Sequence, residues 1–110
     1  MSKKVTPETA LKRVIKQYLR LSGWDVIHNL NYGIGVYKGV SDLTEFKGIN
    51  DLPITLWIEV KSKTGKQNDD QIKFEAMIKK NKGHYILARS IEEIESYMFE
   101  NFGERNLIFS

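Results

Sequence analysis

The chain has 110 residues and no cysteine, and 41% of its residues are hydrophobic and 28% charged. This balance is typical of a soluble globular protein rather than a disordered or membrane-embedded one, and we expect residues 1–110 to form a single domain. The lack of cysteine excludes a disulfide framework and a thiolate metal site. No uninterrupted apolar run marks a signal peptide or a membrane span, so we expect an intracellular protein.

Positive charge is concentrated before residue 90, although the whole chain has a formal net charge of only +3. Residues 1–89 contain 16 lysines and arginines against 9 acidic residues, whereas residues 90–110 contain 1 against 5. A basic surface of this kind is a weak indication of a polyanionic partner such as nucleic acid.

The first predicted element is a helix that begins at Thr6 and ends before Gly23, because a threonine N-cap, a proline and an early acid follow one another there. Its predicted buried face consists of Leu11, Val14, Ile15, Tyr18 and Leu19. Its opposite face is basic and carries Lys12, Arg13, Lys16 and Arg20. Such a face is most often simply solvated and only sometimes contacts phosphate, so both interpretations stay open.

Three strands are predicted next, at residues 24–30, 41–46 and 55–61. The glycines of the loop between the first two strands do not have the dinucleotide-binding spacing, and Gly65-Lys66 lacks the other residues of a phosphate-binding loop. Nucleotide binding is therefore unsupported. We interpret the connection from Lys47 to Thr55 as a loop that is too long for a tight hairpin.

The remainder of the chain predicts a helix, a strand and a helix. Asn68 and Gln71 have the spacing of a capping box at the start of the first of these helices, which Gly83 closes. Residues 84–88 read as a strand, and Ser90 as the N-cap of the last helix. The order αβββαβα predicts an α/β protein in which helices flank a small mixed sheet.

Two predicted strands carry acids where core residues would be expected. Because successive side chains of a strand alternate between its faces, Glu59 and Lys61 lie side by side. Asp42 is near the start of the neighbouring strand, so a short connection would bring it beside Glu59. Two close carboxylates repel unless a cation relieves them, and oxygen ligands suit Mg2+ or Mn2+. With Lys61 in reach, this arrangement predicts metal-assisted hydrolysis of a phosphodiester.

Three other titratable side chains are weaker candidates. Glu45 follows Asp42 by three residues and so points to the opposite face of its strand. His28 and His84 occur in apolar strand patterns, where satisfied core histidines are more common than catalytic ones.

At these positions the sequence resembles the PD-(D/E)XK nuclease superfamily, with Asp42 as the motif aspartate and Glu59-Val60-Lys61 as the tripeptide. It is most similar to the virus-type replication-repair nuclease domain, VRR-NUC, over roughly residues 6–95. The VRR-NUC glutamate near the start of the first helix matches Glu8, and the glutamine that opens the helix after the tripeptide matches Gln71. The residue before the motif aspartate is often proline and is Ser41 here.

The resemblance implies a restriction-endonuclease-like fold and a Mg2+- or Mn2+-dependent DNA endonuclease, and it is compatible with a phage-encoded protein acting in a host cell. Asp42, Glu59, the Val60 carbonyl and Glu8 would bind metal. Lys61 would serve the attacking water, and Gln71 would position Lys61 or the substrate. Glu8 could instead complement the helix dipole, and Gln71 could simply complete a capping box.

Seven residues around these positions are candidate DNA contacts: Lys12, Arg13, Lys16, Tyr32, Lys38, Lys63 and Lys66. The alternative function is a DNA-binding module without catalysis, which would use the same residues but has no reason to place acids facing phosphate. A nuclease that acts on linear DNA or on RNA would carry the same motif.

The last predicted helix has an apolar arc that is wider than one core contact needs. The arc consists of Ile91, Ile94, Tyr97, Met98, Phe99 and Phe102. Its extra aromatic side chains either pack under a possible edge strand at residues 106–109 or form the patch of a two-fold dimer. We expect a homodimer. Because one such site cuts one strand at a time, we also expect a preference for branched DNA such as a four-way junction.

Overall fold

The structure of the chain, a computed structural model, describes residues 5–29 and 37–103. Its elements in chain order are α1 (Pro7–Leu21), β1 (Asp25–His28), β2 (Leu43–Ile49), β3 (Leu52–Val60), α2 (Asp69–Lys80), β4 (His84–Ala88) and α3 (Ile91–Phe102). Within these described ranges, no helix has the length and the apolar character that crossing a bilayer requires. The possible edge strand at residues 106–109 lies outside the described residues.

Each helix begins at the N-cap that the sequence predicts. The side chains of Thr6, Asn68 and Ser90 accept hydrogen bonds from backbone N–H groups three residues later, which satisfies donors that have no partner within the helix. At the end of α2 the left-handed residue is Lys82, with φ of 63°, rather than the predicted Gly83. Gly83 follows it, directly before β4.

The four strands form one mixed sheet in the order β1-β2-β3-β4. The pairs β1/β2 and β2/β3 are antiparallel, whereas β3 and β4 are parallel and are connected by the crossover helix α2. The two-residue connection between β2 and β3 is short enough only for an antiparallel pair, whereas the parallel pair β3 and β4 needs a longer crossover.

The connection between β2 and β3 differs from the prediction of a long loop at residues 47–55. It is a two-residue turn in which Asn50 and Asp51 have φ of 52° and 65°. Two successive left-handed residues give a turn whose twist matches that of a hairpin, and Asn and Asp tolerate this conformation. Gly48 and Pro53, which suggested a loop, pair with each other within the ladder. Pro53 is tolerated because β4 pairs with β3 only from Leu56 onward.

The main core lies between one face of the sheet and helices α1 and α3. It consists of Ile15, Tyr18, Leu19, Trp24, Leu43, Leu56, Ile58, Val60, Ile86, Ala88, Ile94 and Met98. Val14 was predicted to join this core but is 47% exposed. The buried stripe of α1 follows Ile15, Tyr18 and Leu19, and a helix that packs on a single surface buries only a narrow arc.

Helix α2 covers the opposite face of the sheet. The ring of Phe74 lies 5.3 Å from that of Trp57 and 6.3 Å from that of Tyr85. Since these two residues alternate along their strands with members of the main core, they face the other side. Glu59, two residues after Trp57 on β3, therefore faces the side of the sheet that α2 covers.

The segment before β2, residues 37–42, packs against α2. Gly39 has φ of +81°, and a Cβ at this position would overlap the backbone carbonyl oxygen of Asp70. The Tyr37 ring packs 6.0 Å from that of Phe74, and its hydroxyl contacts the Met77 sulfur at 3.4 Å. These contacts fix the path of the chain immediately before Asp42.

Candidate active site

Asp42 and Glu59 meet at one end of the sheet, as the sequence predicts. Leu43 pairs with Ile58, so the next position in this antiparallel register places Asp42 opposite Glu59. The Val60 N–H donates a 2.8 Å hydrogen bond to Asp42 Oδ2. Glu59 is only 2% exposed, and its Oε2 atom has no hydrogen-bond partner among the described residues.

The close approach of these two acids changes their protonation. Burial, then a hydrogen bond with Asp42 and the charge of that residue, raise the pKa of Glu59 to about 9, while Lys61 and Lys12 oppose the change. These effects favour a proton on Glu59 at neutral pH, in a hydrogen bond with Asp42. Two close carboxyls repel each other when both are ionised, so one of them tends to keep a proton.

Lys12 reaches this pair from α1. Its Nζ atom lies 3.3 Å from Asp42 Oδ1, and the two side chains are 21% and 16% exposed. The sequence placed Lys12 on a basic helix face, where it was a candidate DNA contact. The structure brings it instead into direct contact with the motif aspartate.

Lys61 follows the last residue of β3 on the same face as Glu59. Its backbone N–H donates to the Ala88 carbonyl at 3.0 Å, which anchors the chain to β4, and its side chain is half-buried. The Val60 N–H points toward Asp42. Because the N–H and C=O groups of one strand residue point to the same edge, the Val60 carbonyl is directed to that side as well.

Glu8 contacts the turn after Lys61 and is not grouped with the other carboxylates. Its Oε1 atom accepts a 3.3 Å hydrogen bond from the Ser62 N–H. Arg89 directly follows β4 and holds the same turn, since its Nη1 atom donates to the carbonyls of Ser62 and Gly65, each at 2.6 Å. Sequence reasoning missed Arg89, whose only signal is a basic residue directly after a buried strand.

Gln71 forms a capping box, which was the predicted alternative to a role in the active site. Its N–H donates to Asn68 Oδ1, and its Oε1 atom accepts from the Asn68 N–H, both at 2.9 Å. Gln71 nevertheless lies close to the segment that precedes Asp42. A Cβ built on Gly39 would be 2.8 Å from the Gln71 backbone nitrogen.

Four of the predicted DNA contacts are exposed side chains, and two, Lys12 and Lys16, are half-buried. Arg13, Lys38, Lys63 and Lys66 are exposed, and Lys16 is half-buried one turn after Lys12. Tyr32 lies outside the described residues. These positions lie on α1, on the segment before Asp42 and on the turn after Lys61.

The two histidines have different environments. His84 is half-buried, and its Nδ1 atom lies 2.7 Å from the Tyr97 hydroxyl. His28 was predicted to be a core residue, but it is exposed, as are three of the four residues of β1. Burial and the charges of Lys16 and Lys12 lower the pKa of His28, whereas Asp42 raises it, so His28 borders the site.

Glu45 points away from Asp42, as predicted, and is fully buried on the core face of the sheet. Neither of its carboxyl oxygens has a hydrogen-bond partner among the described residues. Burial raises its pKa to about 9. It is therefore a neutral acid at pH 7 and takes no part in the site.

The described residues contain no group of three or more His, Cys, Asp or Glu side chains that could hold a metal ion. The donors that do converge are two carboxylates and one backbone carbonyl, from Asp42, Glu59 and Val60. A small oxygen-rich set suits Mg2+ or Mn2+, which retain several waters. The partnerless buried Oε2 atom of Glu59 fits such a cation too, since a bound ion would satisfy it.

A solved structure described as a VRR_NUC domain has the same fold, with a TM-score of 0.68 and 19% sequence identity. The match covers 88% of this chain and 98% of that chain. The expected α/β fold and the expected likeness to a VRR-NUC domain are thereby confirmed at the level of the fold. No protein-family model and no curated protein matches the sequence.

Proposed function

We propose that this protein is a nuclease that depends on Mg2+ or Mn2+ and hydrolyses phosphodiester bonds in DNA. The observation that carries the proposal is the buried Asp42 and Glu59 pair with two lysines, Lys12 and Lys61, beside it. Burying an acid and leaving one of its oxygens without a partner is unfavourable for folding. A protein that only bound DNA would gain nothing from this arrangement, whereas metal-assisted hydrolysis needs it.

Each residue of the site has a distinct part in this reaction. Asp42, Glu59 and the Val60 carbonyl would hold the cation, which supplies charge neutralisation and a water of lowered pKa. Lys61 would donate hydrogen bonds to the attacking water and to the phosphate oxygens that gain charge. Glu8 would position the turn after Lys61 through Ser62 rather than bind a second metal.

DNA would lie across the basic residues around the carboxylate pair. Arg13 and Lys16 of α1, together with Lys38, Lys63 and Lys66, can neutralise phosphates on both sides of the scissile bond. We retain Tyr32 as a candidate contact from the loop before β2. RNA is a second candidate substrate, because the same site chemistry acts on either backbone.

We further propose that the protein forms a homodimer that prefers branched DNA. Phe99 on α3 is 62% exposed, which favours an apolar patch on the outer side of this helix. A two-fold dimer would present two related sites to paired strands of a four-way junction. Light scattering at micromolar concentration should give the mass of a dimer for the wild type, and a monomer mass would contradict this part of the proposal.

The function is tested with a panel of single-stranded, duplex, flapped and four-way DNA, and with RNA of matched sequence. We expect cleavage with Mg2+ or Mn2+ and none in EDTA, and faster cleavage of the four-way DNA than of linear duplex. Glu59→Gln should abolish cleavage, whereas Glu75→Gln, a half-exposed acid paired with Lys79 on α2, should leave it unchanged. DNA binding without cleavage under every condition would favour the binding-module alternative.

A further inference from the structure

Lys12 makes a contact that a residue of a solvated helix face does not make. Its Nζ atom lies 3.3 Å from Asp42 Oδ1, and both side chains are more than three-quarters buried. Lys16 is the natural comparison, since it is half-buried one turn later on the same side of α1. Lys16 has no carboxylate partner among the described residues.

The positive charges at the site come from two different elements. Lys61 directly follows β3, on the face of Glu59. Lys12 extends from a helix to the outer oxygen of Asp42, on a flexible four-carbon stem that can be redirected by rotation of its side chain. Both lysines act electrostatically on Glu59 and oppose the rise of its pKa.

A divalent cation held by Asp42 would add positive charge beside Lys12. Like charges a few ångströms apart repel strongly where solvent screening is incomplete, and the contact of Lys12 with Asp42 is partly buried. Under the proposed function Lys12 would also have an alternative partner, because a DNA phosphate would lie close to the carboxylate pair. The contact with Asp42 is therefore the one that a bound cation would weaken.

We propose that Lys12 is the counter-ion of Asp42 until Asp42 holds a divalent cation. The Lys12 side chain then leaves Asp42 and contacts a DNA phosphate. This inference rests on the proposed metal-dependent function and adds a role that a simple phosphate contact lacks. Lys12 would compete with the cation for Asp42 in the absence of DNA. Binding of metal and binding of DNA would consequently favour each other.

The two effects of removing this charge have opposite signs. Lys12→Met should strengthen Mn2+ binding to the DNA-free protein by about threefold to tenfold, because a competing positive charge is lost. The same change should weaken DNA binding, because one phosphate contact is lost. An ordinary phosphate contact would show the second effect without the first.

The experiment is a calorimetric titration of Mn2+ into DNA-free wild type, Lys12→Met, Lys12→Arg and Lys16→Met. DNA affinity of each is measured separately by fluorescence anisotropy in a Lys61→Met background, so that cleavage does not interfere. Lys12→Arg keeps the charge and should bind Mn2+ like the wild type. Lys16→Met should lose DNA affinity but change Mn2+ affinity by less than about twofold, since Lys16 does not contact Asp42.

Circular dichroism and thermal melting of each variant show whether it is folded before it is titrated. An Mn2+ affinity of folded Lys12→Met equal to or weaker than that of the wild type would overturn the inference. If Mn2+ binds as expected and no nucleic acid is cut, the proposed function fails while the counter-ion role stands. Wild-type Mn2+ binding that survives Asp42→Asn would overturn both, because the ion would then be held elsewhere.

Discussion

The Val60 N–H donates to Asp42 Oδ2 at 2.8 Å. The Asp42 side chain thus extends the β2/β3 ladder by one hydrogen bond, directly before β2 begins. The hydrogen bond orients Asp42 Oδ1 toward Lys12 and holds the carboxyl beside Glu59. Asp42 is thus part of the sheet as well as of the candidate site. Substitutions of this residue affect folding and chemistry together unless they preserve the acceptor.

Asp42→Asn and Asp42→Ala should consequently differ in stability. The amide oxygen of asparagine can still accept from Val60, whereas alanine leaves this N–H group without a partner. We expect Asp42→Ala to be less stable than Asp42→Asn by about 1–3 kcal/mol in the free energy of unfolding. Urea denaturation followed by circular dichroism measures the difference, and equal midpoints for the two variants would contradict the assignment.

Glu45 should make the protein less stable as the pH rises. Its pKa is about 9 in the folded protein against an ordinary value of 4.5, so the folded state binds its proton more tightly than the unfolded state. The unfolded chain releases this proton from about pH 4.5 upward, and the stability of the folded state declines until about pH 9. Below pH 4.5 both states hold the proton, and the effect disappears.

The comparison with Glu45→Gln isolates this effect, because the amide does not titrate. Between pH 5 and 8 the free energy of unfolding of the wild type should fall relative to that of the variant by up to about 1.4 kcal/mol per pH unit. Denaturation at several pH values measures the slope. Parallel pH profiles for the two proteins would show that Glu45 is not buried as described.

Gly39 and Gly48 should respond very differently to alanine. At Gly39 a Cβ would overlap the Asp70 carbonyl and would require φ of +81° from an alanine, whereas at Gly48 nothing lies within 4 Å. Gly39→Ala should cost about 2 kcal/mol or more, and Gly48→Ala should change stability by less than about 1 kcal/mol. Thermal melting of the two variants tests this, and a mild effect of Gly39→Ala would contradict the seating of this segment on α2.

Arg89 should protect the turn after Lys61 from proteolysis. Its hydrogen bonds to Ser62 and Gly65 restrain a turn that also carries the exposed Lys63, a trypsin site. Arg89→Met should increase the rate of cleavage after Lys63 by about tenfold, because local opening becomes easier. Mass spectrometry of timed digests identifies the cut, and Arg13→Met on α1 is the control. Equal protection in Arg89→Met and the wild type would show that Arg89 does not restrain the turn.

The sequence was sufficient for those features that depend on local signals. Helix starts followed from Thr6, Asn68 and Ser90, because side-chain capping is a short-range interaction. The convergence of Asp42 and Glu59 followed from alternation along adjacent strands. Their catalytic and metal-binding roles stay predictions.

Features that depend on tertiary placement were not predicted. Asn50 and Asp51 fit either a loop or a tight turn, and only the pairing of the flanking strands distinguishes the two. Helical spacing placed Lys12 on the same basic face as Lys16, but its contact with Asp42 depends on where α1 crosses the end of the sheet. His28 has an apolar strand pattern, yet it is exposed, because the helices of the core cover β1 less than they cover β4.

If the carboxylate pair and Lys61 form a hydrolytic site, Lys61→Met should remove the chemistry and leave DNA binding intact. Single-turnover cleavage and DNA affinity are measured for the wild type and the variant on the same substrates with Mg2+ or Mn2+. We predict that the variant binds DNA within about threefold of the wild type but cleaves it about 100-fold more slowly or not at all. Cleavage by Lys61→Met at the wild-type rate would contradict the assignment of this site.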